Sequence, residues 1–131
     1  MFSLLFLHII LLSDLKGPVK GKALSYRTLD LNKSHIYSLA FSEKGHLLAG
    51  ASSDNSIKIW ETKNYELVRT LNNHTDPVYS VAFSKTGLLA SGSLDNSVKI
   101  WNPENGELLR TLNNHTRPVF SVAFSETGGR G

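Results

Sequence analysis

From Ala23 onward the chain alternates short apolar, β-prone runs with polar turns. The run Val78–Phe83 opens after Pro77, which cannot donate to a ladder and so suits the start of a strand. Ser84-Lys85-Thr86-Gly87 closes it as a turn. Leu88–Ser93 is a second run, the tight turn Asp95-Asn96 follows, and Val98–Trp101 is a third. Asn102-Pro103-Glu104-Asn105-Gly106 carries strong Pro and Asn-Gly turn signals before a fourth run, Leu108–Leu112. Both alternation sets of the first run are apolar: Tyr79, Val81 and Phe83 on one, Val78 and Ala82 on the other. That pattern predicts a sheet covered on both faces by neighbouring sheets.

The same four runs occur upstream as Ile36–Phe41, Leu47–Ser52, Ile57–Trp60 and Leu67–Leu71, with Gly45-His46 standing against Gly87 as a one-residue insertion. Leu24–Leu29 matches the fourth run, and Val119–Phe124 matches the first. The repetition is literal in places. Arg69–Ser84 returns as Arg110–Ser125 at an offset of 41, and only two of the sixteen positions differ, Asp76/Arg117 and Tyr79/Phe120. The only tryptophans, Trp60 and Trp101, keep the same offset. A period of this size signals an array of one supersecondary unit.

The unit resembles a WD-repeat β-propeller blade. The resemblance rests on His74, Val78–Ser84, Leu89–Asp95 and Val98–Trp101, and it spans residues 23–131. It implies an all-β fold of antiparallel four-stranded blades: a partial propeller with units at 32–73 and 74–114 and an incomplete one at 115–131. Residues 1–22 form an apolar stretch and linker outside it. The Gly-His and Trp-Asp pairs of the family become Asn73-His74, Asn114-His115, Trp60-Glu61 and Trp101-Asn102 here. Asn tolerates a left-handed backbone next best to Gly, so the first change is expected to be mild. The first unit departs further, with Asn32 where His is expected and Gly50 where Ser91 stands.

His74, Ser91 and Asp95 are the residue types of a hydrolase triad, but no strand–Gly-x-Ser-x-Gly–helix context surrounds them. The resemblance implies instead a structural hydrogen-bond chain, Trp101 to Ser91 to His74 to Asp95, with Asp54, Trp60 and His115 as counterparts in the other units. It also implies that partners dock on the rim made by the fourth-to-first-strand loops and the second-to-third-strand turns. The matching positions are His35, Tyr37 and Ser53, then Asp76, Pro77, Tyr79 and Leu94, then Arg117 and Phe120. Both differences in the sixteen-residue match fall there. The expected function is a non-catalytic scaffold for protein partners, without cofactor. Propellers hold ~4–8 blades, so the alternative is a fragment with no independent function, or one that closes by self-association through exposed blade faces.

Composition narrows the chemistry. Net charge is +3, from 14 basic and 11 acidic residues spread along the chain, and no basic block interleaves with aromatics, so nucleic acid is not expected as a partner. There is no Cys, and His8, His35, His46, His74 and His115 contain no i, i+4 pair, so no metal site is expected. Gly17–Ala23 is one residue short of a phosphate-binding loop and ends in Ala where Ser or Thr must bind Mg²⁺. One Arg in the tail Gly128–Gly131 is too little for an Arg-Gly RNA-binding segment. Met1–Ser13 lacks Asp, Glu, Lys and Arg but is shorter than the ~20 apolar residues of a membrane-spanning helix. No Lys or Arg precedes it and no small-x-small cleavage site follows, so an extra apolar strand or a segment outside the domain stands beside a signal or anchor as its reading. Asn32-Lys33-Ser34, Asn73-His74-Thr75 and Asn114-His115-Thr116 are sequons, which matter only in the secretory path. The expected compartment is the cytoplasm, with the nucleus as alternative; a membrane is not expected.

Overall fold

The computed structural model describes residues 34–126 and, before them, the backbone of two strands. These are β1 (Phe6–Ile10) and β2 (Tyr26–Asp30). The linker at 14–22, the Gly17–Ala23 segment, Asn32 and the tail 128–131 lie outside the described residues. The chain divides into two compact units, Met1–Lys33 and Ser34–Gly131. In the first, β1 pairs antiparallel with β2, with Phe6 opposite Asp30 and Ile10 opposite Tyr26. The expected lone fourth strand is thus β2, and β1 comes from the apolar stretch Met1–Ser13.

The second unit holds two four-stranded antiparallel sheets. The first runs β3 (Ile36–Phe41), β4 (Leu47–Ser52), β5 (Ser56–Glu61) and β6 (Glu66–Asn72). The other runs β7 (Val78–Phe83), β8 (Leu89–Ser93), β9 (Val98–Asn102) and β10 (Glu107–Leu112). Each strand neighbours the next in sequence, so both sheets are simple meanders. No helix is present among the described residues.

The sheets stack with β7 against β3 and β4. Leu47, Ala49, Ala51, Ile57, Ile59 and Leu71 of one sheet share a core with Val78, Val81, Leu89 and Trp101 of the other. Ile57, Ile59, Val78 and Leu89 are fully buried, and each such side chain contributes about 1.5–3 kcal/mol over its exposed state.

Simple alternation fails at the inner strands. Val78 pairs with Ser93 and Ser80 with Gly92, which leaves Tyr79 unopposed in a β-bulge. Ser91 and Ser93 share a face, so their partners Val81 and Val78 share one too, and the expectation that Val78 faces away from Val81 is corrected. Tyr37 is the equivalent bulge residue of β3.

Val119–Phe124 was expected as a strand and is not one. A strand needs a ladder partner, and among the described residues no second strand lies beside it. It still sits on the second sheet as β7 sits on the first. Val122 N donates to Ser80 Oγ at 3.1 Å, and Val81 N donates to Ser38 Oγ at 3.3 Å. A Cβ on Gly92 would lie 2.7 Å from Val119, so only glycine admits this approach.

Turn backbones follow the repeat as well. Asn55 and Asn96 take φ of 75° and 71° in the β4–β5 and β8–β9 turns. Asn73 and Asn114 have no positive φ, which corrects the expectation that they replace glycine in a left-handed backbone.

Candidate functional site

In a meander, alternate connections fall on the same edge. The β4–β5 and β8–β9 turns therefore share one edge with the β6–β7 connection, and the β3–β4, β5–β6, β7–β8 and β9–β10 turns lie on the other. The first edge carries the expected rim.

The rim is fixed from below by the second sheet. Ser93 Oγ donates to the carbonyls of Asp76 and Pro77 at 3.0 and 2.9 Å and accepts from Asp95 N at 3.1 Å. Leu94 N donates to Pro77 O at 3.0 Å. In the first sheet the counterpart is a pair of bonds between His35 and Ser53: His35 N to Ser53 Oγ at 2.9 Å, and Ser53 N to His35 O at 2.8 Å. Asp76 and Pro77 are half-buried, and Arg117 is exposed.

The bulges turn Tyr37 and Tyr79 onto this edge, where Phe120 of the next segment joins them. Tyr37 and Tyr79 lie with ring centroids 5.1 Å apart, and Tyr79 and Phe120 likewise at 5.1 Å. The interplanar angles of 53° and 41° make these tilted contacts, the favourable geometry for ring quadrupoles. The result is a row of three touching rings. Tyr37 is 50% and Phe120 66% exposed, and Tyr79 between them is half-buried, so the two end rings face solvent. Sequence repetition placed these residues on one rim; that they touch needed the bulges and the stacking of the sheets.

Beneath the rim lies a buried polar chain. Trp101 Nε1–H donates to Ser91 Oγ at 2.9 Å. Ser91 Oγ lies 2.7 Å from His74 Nε2, and His74 Nδ1 lies 2.7 Å from Asp95 Oδ2. Asp95 can only accept, so Nδ1 carries the imidazole proton, and Nε2 accepts the Ser91 hydrogen. Every hydrogen in the chain then has one acceptor. Ser97, which sequence reasoning did not single out, donates Oγ–H and N–H to Asp95 Oδ1 at 2.6 and 2.9 Å. Its signal was available, since Ser56 and Ser97 are repeat equivalents.

Burial lowers the His74 pKa, and Lys99 adds to this, while Asp95 opposes it. Burial pushes Asp95 up, but hydrogen bonds from Ser97 and His74 outweigh it and hold the carboxyl at about 2. The pair is therefore neutral imidazole beside carboxylate.

The other units are built differently. Gly50 supplies no hydroxyl, and the Trp60 ring closes over it, with Cζ3 only 2.8 Å from where a Cβ would sit. Asp54 is held instead by Lys58 Nζ at 2.7 Å, with Ser56 also bonded to it. These bonds outweigh burial and bring its pKa below the usual carboxylate range. Lys99, the equivalent of Lys58, reaches Thr111 Oγ1 at 3.1 Å instead. His115 is exposed and stands outside the Trp101–Ser91–His74–Asp95 chain. The second unit builds the chain; the first keeps its Asp54 and Trp60 and, as its sequence implied, lacks the Ser between them.

Among the described residues no group of three His, Cys, Asp or Glu is placed to hold a metal ion, and no helix is long and apolar enough to cross a membrane.

Comparison with known proteins places this geometry. A family model, the WD domain, G-beta repeat, matches residues 25–61, 65–102 and 106–130. The chain is 44% identical over 61 residues to COMPASS component SWD3 of Saccharomyces cerevisiae, covering 44% of this chain and 19% of that protein. It is 44% identical over 41 residues to the F-box-like/WD repeat-containing protein TBL1X of Mus musculus, covering 31% of this chain and 8% of that protein. Among solved structures, the RRP9 WD40 repeats share the fold at a TM-score of 0.70 and 30% identity, covering 74% of this chain and 31% of that one. The structure of U3-55K does so at 0.66 and 32%, covering 68% and 28%. The chain therefore spans less than a third of each relative named. With the repeat model covering most of its length and both sheets built as the repeat requires, the chain belongs to the WD40 (WD domain, G-beta repeat) family.

Proposed function

We propose that the chain is a non-catalytic scaffold whose rim binds protein partners. The observation that carries this is the contiguous row Tyr37–Tyr79–Phe120, exposed at both ends and set on the two sheets beside Asp76 and Arg117. Aromatic rings cost little conformational entropy to immobilise and dominate interface energetics. His35, Ser53, Pro77 and Leu94 complete the surface and decide its polarity. Its charge is mixed, which suits a protein partner and not a polyanion. One relative is named as a component of COMPASS, a name that fits membership of an assembly.

The buried chain supports the absence of catalysis. Ser91 is 0% exposed and His74 6%, so no substrate carbonyl reaches the hydroxyl. Its lone pairs already serve Trp101, and its proton serves His74. On this reading the chain fixes the frame, and units 32–73 and 74–114 are its blades. A second reading, self-association through exposed blade faces, draws support from Leu109 and Leu112 of β10, 46% and 44% exposed. Light scattering separates the two, since a monomer at working concentration removes the second. We also place the chain in the cytoplasm or nucleus; a mobility shift on endoglycosidase treatment would place it in the secretory path instead.

The test is site-specific photocrosslinking. A photoreactive residue at Tyr79 should trap a partner that one at Lys63, on the opposite edge, does not. Tyr79→Ala should abolish binding of that partner while the chain stays folded, its melting temperature falling by several degrees for the two lost ring contacts. Equal trapping from both edges would refute the rim reading.

A further inference from the structure

The β4–β5 and β8–β9 turns are tied by the same bonds except at one position. Asp54 N donates to Ser52 Oγ at 3.2 Å, and Asp95 N donates to Ser93 Oγ at 3.1 Å. Ser56 N and Ser97 N donate to Oδ1 of the respective Asp at 3.0 and 2.9 Å, and both hydroxyls do the same. The residue between, Asn55 or Asn96, takes the same left-handed backbone.

Each turn leaves one seat, between the second carboxylate oxygen and the Ser hydroxyl. In the first sheet Lys58 Nζ fills it, 2.7 Å from Asp54 Oδ2 and 2.8 Å from Ser56 Oγ. In the second sheet His74 Nδ1 fills it, 2.7 Å from Asp95 Oδ2 and 3.3 Å from Ser97 Oγ. Lys99 stands where Lys58 stands, at i+4 from its Asp and opposite Thr111 as Lys58 is opposite Thr70. Shut out of the seat, it is 7% exposed, and among the described residues its Nζ donates to Thr111 Oγ1 alone, at 3.1 Å. An ammonium carries three donors, and burying it against one neutral hydroxyl is costly when a carboxylate stands within reach. The two candidates also differ in origin. His74 enters from the β6–β7 connection, whereas Lys99 belongs to β9 itself.

We infer that His74 and Lys99 are alternative occupants of the Asp95–Ser97 seat, so that the β6–β7 connection can lift off the second sheet while the carboxylate passes from imidazole to ammonium. Lifting frees Thr75 N from Asp95 Oδ2 and carries Asp76 and Pro77 with it. The first sheet displays the bonds of the lifted state, in the Lys58–Asp54 pair. The exchange concerns the frame and holds whether or not the rim binds a partner.

The test is a double-mutant cycle read by urea unfolding of the 131-residue chain. While His74 holds the seat, Lys99→Met should change the unfolding equilibrium constant less than about threefold. In the His74→Ala background it should raise that constant at least about tenfold, because Lys99 then pairs the carboxylate. A crystal structure of His74→Ala should show Nζ moved from Thr111 Oγ1 to Asp95 Oδ2. If His74→Ala does not fold, hydrogen exchange at the Thr75 amide decides. Lys99→Met should slow it at least about tenfold relative to the Ile59 amide of the first sheet, because the lifted state loses its ammonium. A packing role for Lys99 would leave that exchange unchanged or faster. The inference is overturned if the cycle is additive, if Nζ stays on Thr111 in His74→Ala, or if Lys99→Met does not slow exchange at Thr75.

Discussion

Ser91→Ala tests the frame at its most connected atom. The substitution removes one oxygen and leaves two buried groups unpaired, the Trp101 indole N–H and His74 Nε2. Each orphaned polar group costs about 1–3 kcal/mol where water cannot replace the lost partner. Ser91 is 0% and Trp101 2% exposed, so water has no access. His74 keeps its bond to Asp95, which limits the loss on that side. We expect a destabilisation of about 2–4 kcal/mol, a large part of the 5–15 kcal/mol that holds most domains together. Urea unfolding followed by tryptophan fluorescence measures it as a shift in midpoint at constant slope. A double-mutant cycle with Trp101→Phe isolates the indole bond, with Trp60 left as the reporter. Phe has no N–H to orphan, so Ser91→Ala should then cost at least about 1 kcal/mol less. A loss below about 0.5 kcal/mol, or full additivity, would refute the reasoning. The first sheet supplies a contrast. Gly50→Ser restores the hydroxyl but sets its Cβ 2.8 Å from the Trp60 ring, so it should destabilise rather than build a second chain.

Two further outcomes follow from the same geometry. The folded pKa values of His74 and Asp95 both lie below their unfolded values of about 6.5 and 3.9. The unfolded chain therefore binds more protons as pH falls, and stability should decline below about pH 6.5 and again between about 4 and 2. His74→Gln should remove the first decline in a pH series of urea midpoints; a wild-type midpoint that rises from pH 7 to 5.5 would contradict the assignment of a neutral buried imidazole. Gly92→Ala should loosen residues 115–126, because its Cβ would meet Val119 at 2.7 Å and Val122 at 3.0 Å. Limited proteolysis should then cut this segment faster while the sheets stay folded at a cost of about 1–3 kcal/mol, and unchanged cleavage would show that the segment does not rest on Gly92.

The strands were legible because each apolar run is bounded by turn residues and occurs twice. Val78–Phe83, Ile36–Phe41 and Leu47–Ser52 were read to the residue, and the other strands of the two sheets differ by a residue at one or both ends. The bulges were not legible. Val78-Tyr79-Ser80 carries no Gly or Pro to mark one, and the extra residue is imposed by how the rim is tied to Ser93. Val119–Phe124 has the pattern of β7, but pattern sets strand propensity, and only a pairing partner makes a ladder. The loss of the chain in the first unit was visible in Gly50; the takeover of Asp54 by Lys58 was not, because Lys stands at both positions and chooses its partner by what surrounds it.

The polar chain and the rim are one structure. Asp95 Oδ2 accepts from Thr75 N at 3.1 Å as well as from His74, so the buried chain grips the connection that carries Asp76 and Pro77. Asp95 N in turn donates to Ser93 Oγ, which holds the carbonyls of those two residues. Tyr79 follows directly as the bulge residue. Four buried groups thus fix the backbone on which the central ring stands, while no rim side chain takes part in the chain itself. Such a division lets Asp76 become Arg117 and Tyr79 become Phe120 from one copy to the next without touching the frame. It also leaves the rings in contact before anything binds, which under the proposed rim role keeps the ordering cost of binding small. In the first sheet the Lys58–Asp54 pair holds the equivalent turn by different chemistry, yet Tyr37 stands 5.1 Å from Tyr79. What the repeat preserves is therefore the position of the turn and its aromatic, and the interior is free to reach that position by more than one set of bonds.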